Sequence, residues 1–177
     1  MKTIGPSRQN SWFLKKKRPD FCLEKFTPDE NVKFRPKIFV EIKSTTGDSI
    51  EKATDQVTEA LQVTLDELGG EFDCFLIVVQ GARLAFYEYH NDRSNLLEEG
   101  RKHYHGAIPF NHPQKESLPA GRPSYSGYGS FPCRDEFDGD VVTYQNDMGY
   151  ILGLTENDDT IQEVFRWMSA NSPIVYN

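Results

Sequence analysis

Three residues have the types and spacing to assemble a phosphodiester-cleaving centre: Asp20, Glu41 and Lys43. Glu41 and Lys43 flank Ile42 in the run Lys37-Ile38-Phe39-Val40-Glu41-Ile42-Lys43. Residues two apart on a strand face the same side, so this carboxylate and this ammonium point together. Asp20 closes the tripeptide Arg18-Pro19-Asp20, about 20 residues earlier. If its strand pairs with the second one, Asp20 comes beside Glu41. Two hard carboxylate oxygens suit Mg²⁺ or Mn²⁺ and leave coordination positions for water and phosphate. The backbone carbonyl of Ile42 is a candidate third oxygen ligand. Lys43 can orient the attacking water or offset negative charge developing on the phosphate.

Elements that would position these groups are legible around them. Phe21–Phe26 alternates weakly, and Lys37–Lys43 is a strong strand because β-branched and aromatic residues dominate it. Thr27-Pro28-Asp29-Glu30-Asn31 between them has turn composition, so residues 20–44 read as a hairpin. Asp48 then reads as a helix cap, with Glu51 three residues on completing a capping box. Ile50, Ala53, Val57, Ala60, Leu61 and Leu68 recur at helical spacing, and Gly69-Gly70 ends the helix. Phe72–Val79 is a nearly continuous apolar run, expected as a central strand buried on both faces. Ala82–His90 alternates Leu84, Phe86 and Glu88 against Ala85, Tyr87 and Tyr89. The order is β-β-α-β-β, an α/β arrangement.

In this context Pro19-Asp20, Glu41-Ile42-Lys43 and Gln56 resemble the PD-(D/E)XK nuclease superfamily, and in layout the chain is similar to fungal members of that group. The resemblance covers roughly residues 12–90. It implies a restriction-endonuclease-like mixed β-sheet core flanked by helices, in one domain. It also implies a metal-dependent nuclease acting on DNA, or on RNA, with Asp20 and Glu41 as metal ligands. Gln56 falls where many members carry a glutamine that supports the site. Members commonly place a helix before the first strand, often with a further acidic residue, whereas Met1–Arg18 holds no Asp or Glu. That departure, with an acidic body, favours an alternative from another class: a nuclease-fold domain that no longer cuts and serves as an interaction or effector-like module.

Composition limits the partners. The 177 residues carry a net charge of −7, which argues against broad nonspecific nucleic-acid binding. The charge is uneven: residues 1–43 hold 11 Lys/Arg against 5 Asp/Glu, and residues 44–177 hold 9 against 22. A basic approach surface can therefore be built from the first segment. Lys15, Lys16, Lys17 and Arg18, beside Trp12-Phe13-Leu14, are the candidate phosphate contacts; a nuclear import signal and an ordinary solvated stretch are the competing readings. No run of about 18 apolar residues is present, and Met1–Pro6 has no apolar signal-like core. Three widely spaced cysteines, Cys22, Cys74 and Cys133, suit a reducing intracellular compartment, nuclear or cytoplasmic.

The second half reads differently. Residues 91–145, with His103, His105, His112, several prolines and the Gly/Ser/Tyr-rich stretch Ser124–Ser130, are expected to form a long loop-rich insertion. The histidines and Cys133 lack the spacing of structural zinc ligands. Tyr125 and Tyr128 are candidates for stacking on bases, although such a stretch is more often simply a flexible loop. Val141–Thr143 and Tyr150–Leu152 are short candidate strands. A helix from Asp158 to about Ser169 should bury Ile161, Val164, Phe165 and Met168 on one side.

Overall fold

The computed structural model describes residues 19–25, 35–68, 73–89, 101–102, 107–111, 119–128, 131–135, 141–144 and 150–173. Lys15, Lys16, Lys17, Arg18, His103, His105 and His112 lie outside the described residues, as do the side chains of Leu68 and Cys133.

The β-branched and aromatic runs form strands as their composition predicts. β1 (Phe21–Lys25) and β2 (Arg35–Lys43) pair antiparallel, with Phe21 opposite Val40, Cys22 opposite Phe39 and Leu23 opposite Ile38. The register slips between Leu23 and Glu24, so that Glu24 faces Pro36. Proline has no N–H for a ladder, and a bulge is where a strand tolerates it. α1 (Ile50–Leu68) then crosses over to β3 (Cys74–Gln80), which runs parallel to β2. Antiparallel partners can be joined by a short turn, but parallel ones need such a crossover.

A two-residue turn, Gly81-Ala82, leads into β4 (Arg83–Tyr89), antiparallel to β3. Gly81 adopts φ +58°, and a β-carbon there would lie 2.3 Å from Thr45 Oγ1. Both the left-handed backbone and the close approach of Thr45 therefore demand glycine. β6 (Ala107–Pro109) and β9 (Ile151–Gly153) pair with opposite ends of β4, completing a six-stranded, mostly antiparallel open sheet. β5 (Arg101–Lys102), β7 (Phe131–Asp135) and β8 (Val141–Tyr144) make a separate antiparallel sheet.

Strand periodicity sorts the core into two layers. Phe39, Cys74, Leu76, Val78, Ala85, Tyr87 and Tyr89 meet Ile50, Ala53, Val57 and Leu61 of α1. On the other face Ile38, Phe75, Ile77, Leu84 and Phe86 meet Val164 and Met168 of α2 (Asp158–Ala170). The mixed sheet, the β-β-α-β-β order of its first elements along the chain and the helix packed through Ile50, Val57 and Leu61 agree with the sequence reading. β3 is buried on both faces at Cys74–Val78, as a continuous apolar run implies. α2 departs in one detail. Phe165 is 41% exposed, and Trp167 packs on the core in its place.

Residues 91–145 are not simply a surface loop. Ala107–Phe110 are buried, and β6 extends the main sheet. Arg122 and Tyr125 are buried as well. The arginine donates from Nη1 to Glu88 Oε1 at 2.7 Å and from Nη2 to the Phe110 carbonyl at 2.7 Å. Its guanidinium lies 3.6 Å from the Phe110 ring centre and 4.8 Å from that of Trp167. Tyr125 stacks on Phe110, and burial pushes its hydroxyl pKa far up. It is a core residue rather than a base-stacking one. Tyr128, by contrast, is 44% exposed, with the Arg83 guanidinium 5.9 Å above its ring.

Candidate active site at the carboxyl ends of the parallel strands

β2 and β3 are the one parallel pair among the described strands, and α1 begins just beyond their carboxyl ends. In open α/β sheets this is where ligand sites form, because the strand ends and the helix start leave a crevice there. Following Phe39 by two and four residues, Glu41 and Lys43 continue along the α1 face, opposite Val78 and Gln80 of β3. The carboxylate of Glu41 is nearly buried and accepts from Lys43 Nζ at 2.5 Å; the two side chains are 8% and 23% exposed. Gly81 N–H donates to the Lys43 carbonyl at 2.9 Å, tying the end of β2 to the β3–β4 turn.

Asp20 stands one residue before β1. Continuing the Phe21–Val40 register by one step sets it opposite Glu41, on the same face. Its Oδ2 accepts from the Ile42 N–H at 2.7 Å. The N–H and C=O of one strand residue point to the same lateral edge. The Ile42 carbonyl therefore faces the Asp20 side, while its side chain is 47% exposed on the opposite face of the sheet.

The cluster has a member that the sequence reading took for a helix cap. The cap is Ser49, whose Oγ accepts from the Lys52 N–H at 3.2 Å. Asp48 is released from that task. Its Oδ1 pairs with Lys52 Nζ at 2.6 Å and its Oδ2 accepts from Gln56 Nε2 at 2.8 Å. Its carbonyl accepts from Gln80 Nε2 at 2.8 Å. The expected Asp48–Glu51 capping box is therefore absent. Two cap formers stand in tandem before Ile50, and the one adjacent to the first helical residue wins. That adjacency was the available signal. Gln56 joins the cluster through Asp48.

Electrostatics follow from these partners. The hydrogen bond to Glu41 raises the Lys43 pKa above the ordinary lysine value; burial opposes this, and the charges of Glu41, Asp20 and Asp48 add to it. Lys43 is therefore a cation at neutral pH and not a proton acceptor. Lys52 and then Gln56, by hydrogen bonding, hold the Asp48 carboxyl below the usual range. Burial pushes Glu51 up, but bonds from its own N–H, Ser49 and Tyr150 outweigh that and hold it below the usual range too.

Among the described residues no three His, Cys, Asp or Glu side chains converge as an all-protein metal cage. A site for Mg²⁺ or Mn²⁺ does not need one, because these ions are commonly held by one or two carboxylates plus water and substrate phosphate. The donor chemistry of Asp20 and Glu41 fits such an ion, and an ammonium already occupies a cation position against Glu41. No protein-family model, curated protein or solved structure matches this chain. No helix among the described residues is long and apolar enough to cross a membrane.

Proposed function

We propose that the chain is a metal-dependent nuclease, hydrolysing phosphodiester bonds of DNA or RNA at Asp20, Glu41 and Lys43. One observation carries the reading: the bond from Ile42 N–H to Asp20 Oδ2 anchors the aspartate beside the Glu41-Ile42-Lys43 strand end. The β-β-α-β-β order within one mixed sheet supports a restriction-endonuclease-like core. A bound Mg²⁺ or Mn²⁺ would supply Lewis acidity toward the phosphate and acidify a water. Asp20 and Glu41 would hold it, with the Ile42 carbonyl on the same edge as Asp20. Lys43, kept cationic by its carboxylate neighbours, would stabilise negative charge on the phosphate oxygens. Asp48 orients Gln56, and Gln80 Nε2, donating to the Asp48 carbonyl, fixes the start of α1 against the end of β3. Lys15, Lys16, Lys17 and Arg18 would supply phosphate contacts that weaken as salt rises.

A second reading has its own observation. Glu41, Asp20 and Asp48 all have partners within the chain, which suits an interaction module with no catalytic task. Purified protein with Mg²⁺ or Mn²⁺ and single- or double-stranded DNA or RNA separates the two. A nuclease cleaves, stops with EDTA, and loses on the order of 100-fold or more of its rate in Lys43→Ala and Asp20→Ala. Absence of cleavage on every substrate with either metal selects the interaction module. Full activity in both variants marks a contaminating enzyme.

A further inference from the structure

We infer that Lys43 is the resident counter-ion of the cation position, displaced from Glu41 when a divalent ion binds, so that ion binding is what presents the ammonium to substrate. The inference rests on the metal site proposed above and describes its regulation. Lys43 Nζ sits 2.5 Å from Glu41 Oε1, and the glutamate side chain is only 8% exposed. A nearly buried carboxylate needs a cation or hydrogen-bond donors, and here the chain provides its own cation. Asp20 is likewise already held, by the Ile42 amide, so the strand end is assembled before any ion arrives.

A divalent ion on Glu41 would stand beside the ammonium, and like charges a few ångströms apart repel. Lys43 is the partner that can yield. It is 23% exposed, and its flexible four-carbon stem can carry Nζ toward solvent without moving β2. Glu41 has no comparable exit. The exchange is cation for cation and keeps the carboxylate neutralised throughout. It imposes an order: the ion first, then an anionic substrate on the freed ammonium.

The order has a sign that a merely structural ion pair lacks. Removing the lysine charge strengthens ion binding, even though it removes the group that meets the phosphate. Isothermal calorimetry of the full chain with Mn²⁺ tests this on wild type, Lys43→Met, Lys43→Arg and Glu41→Gln, each first shown folded by circular dichroism and melting. Lys43→Met is expected to bind about tenfold tighter than wild type. Lys43→Arg, which keeps the charge, should stay near wild type, and Glu41→Gln should lose binding. Lys43→Gln replaces Lys43→Met if the latter does not fold. Binding seen only once the lysine is removed also supports the exchange. Equal or weaker binding by the neutral variant overturns the exchange and leaves the metal site standing. No binding by any of the proteins overturns the metal site and the exchange with it.

Discussion

Glu41 and Glu88 are both glutamates on inner strands of one sheet, and each is bound to a cation within the chain. They face opposite layers: Glu41 lies under the start of α1, and Glu88 lies in the α2 layer. The Glu88–Arg122 pair is 0% exposed on both sides, and the guanidinium is flanked by the rings of Phe110 and Trp167. The Glu41–Lys43 pair is at a strand end where its lysine reaches solvent. The same electrostatic pairing is thus a fastener in one place and an exchangeable contact in the other. What separates them is access. Arg122 is held by two hydrogen bonds and flanking rings and has no route out, whereas Lys43 is held by one contact at the edge of the core.

The largest expected effect breaks this contrast if it is wrong. Arg122→Ala takes the buried cation away from the buried Glu88 carboxylate, and should cost about 3–5 kcal/mol of stability. Replacing Arg122 and Glu88 together with Met and Leu should recover much of that loss, since two apolar groups need no partner. Lys43→Ala, the matched change at the other pair, should cost less, about 1–3 kcal/mol, because the lysine end of that pair is open to water. Urea denaturation of the four proteins measures all of this, and equal losses at the two lysine and arginine positions would refute the distinction.

Legibility in the sequence divides along the same line. β2, β3 and α1 are read easily because their patterns are local: β-branched runs, a continuous apolar stretch, a 3.6-residue period. The convergence of Asp20 with Glu41 and Lys43 follows from hairpin pairing and the period of two. The Glu88–Arg122 pair is not legible because its partners are far apart, with Arg122 34 residues from Glu88. A loop composition concealed a segment that packs as core. Yet Glu88 alternates with Leu84 and Phe86 on one face of β4, and a glutamate in such a place calls for a buried cation. Asp48 was missed for a local reason, the competition of two adjacent cap formers. Side-chain packing at the carboxyl end of α2, where Trp167 replaces Phe165, depends on the Arg122 guanidinium and could not be read from helical period alone.

A smaller effect probes the frame that holds the exchangeable pair. Gly81→Ala forces a side chain into a left-handed backbone and against Thr45, and should cost about 1–3 kcal/mol. Because Gly81 N–H holds the Lys43 carbonyl, the change should also disturb the site, which a matched loss at Arg122 should not do directly. Thr45→Ala in the same protein removes the 2.3 Å encounter and should restore only part of the stability, since the positive φ persists. Complete recovery in thermal melts would show that Thr45 alone demands the glycine, and that the backbone conformation is not strained.

The smallest effect concerns pH at the start of α1. Tyr150 donates from its hydroxyl to Glu51 Oε1 at 2.9 Å, tying β9's approach to the helix beside Asp48. Both Glu51 and Asp48 have carboxyl pKa values held below the ordinary range in the folded protein. A group whose folded pKa is depressed adds stability that is present above its unfolded pKa and is lost as pH falls through the folded value. Tyr150→Phe removes one of the bonds that hold Glu51 down. The variant should therefore be less stable than wild type by about 1 kcal/mol near neutral pH, with allowance for the partial exposure of Glu51. As pH falls below the ordinary glutamate range, about 4, wild type loses this advantage and the gap between the two proteins should close. Melting curves of both proteins from about pH 7 down to about pH 3 measure the gap. A gap that stays constant with pH would mean that Tyr150 contributes through packing against Tyr87, whose ring centre lies 6.1 Å away, and not through the charge on Glu51.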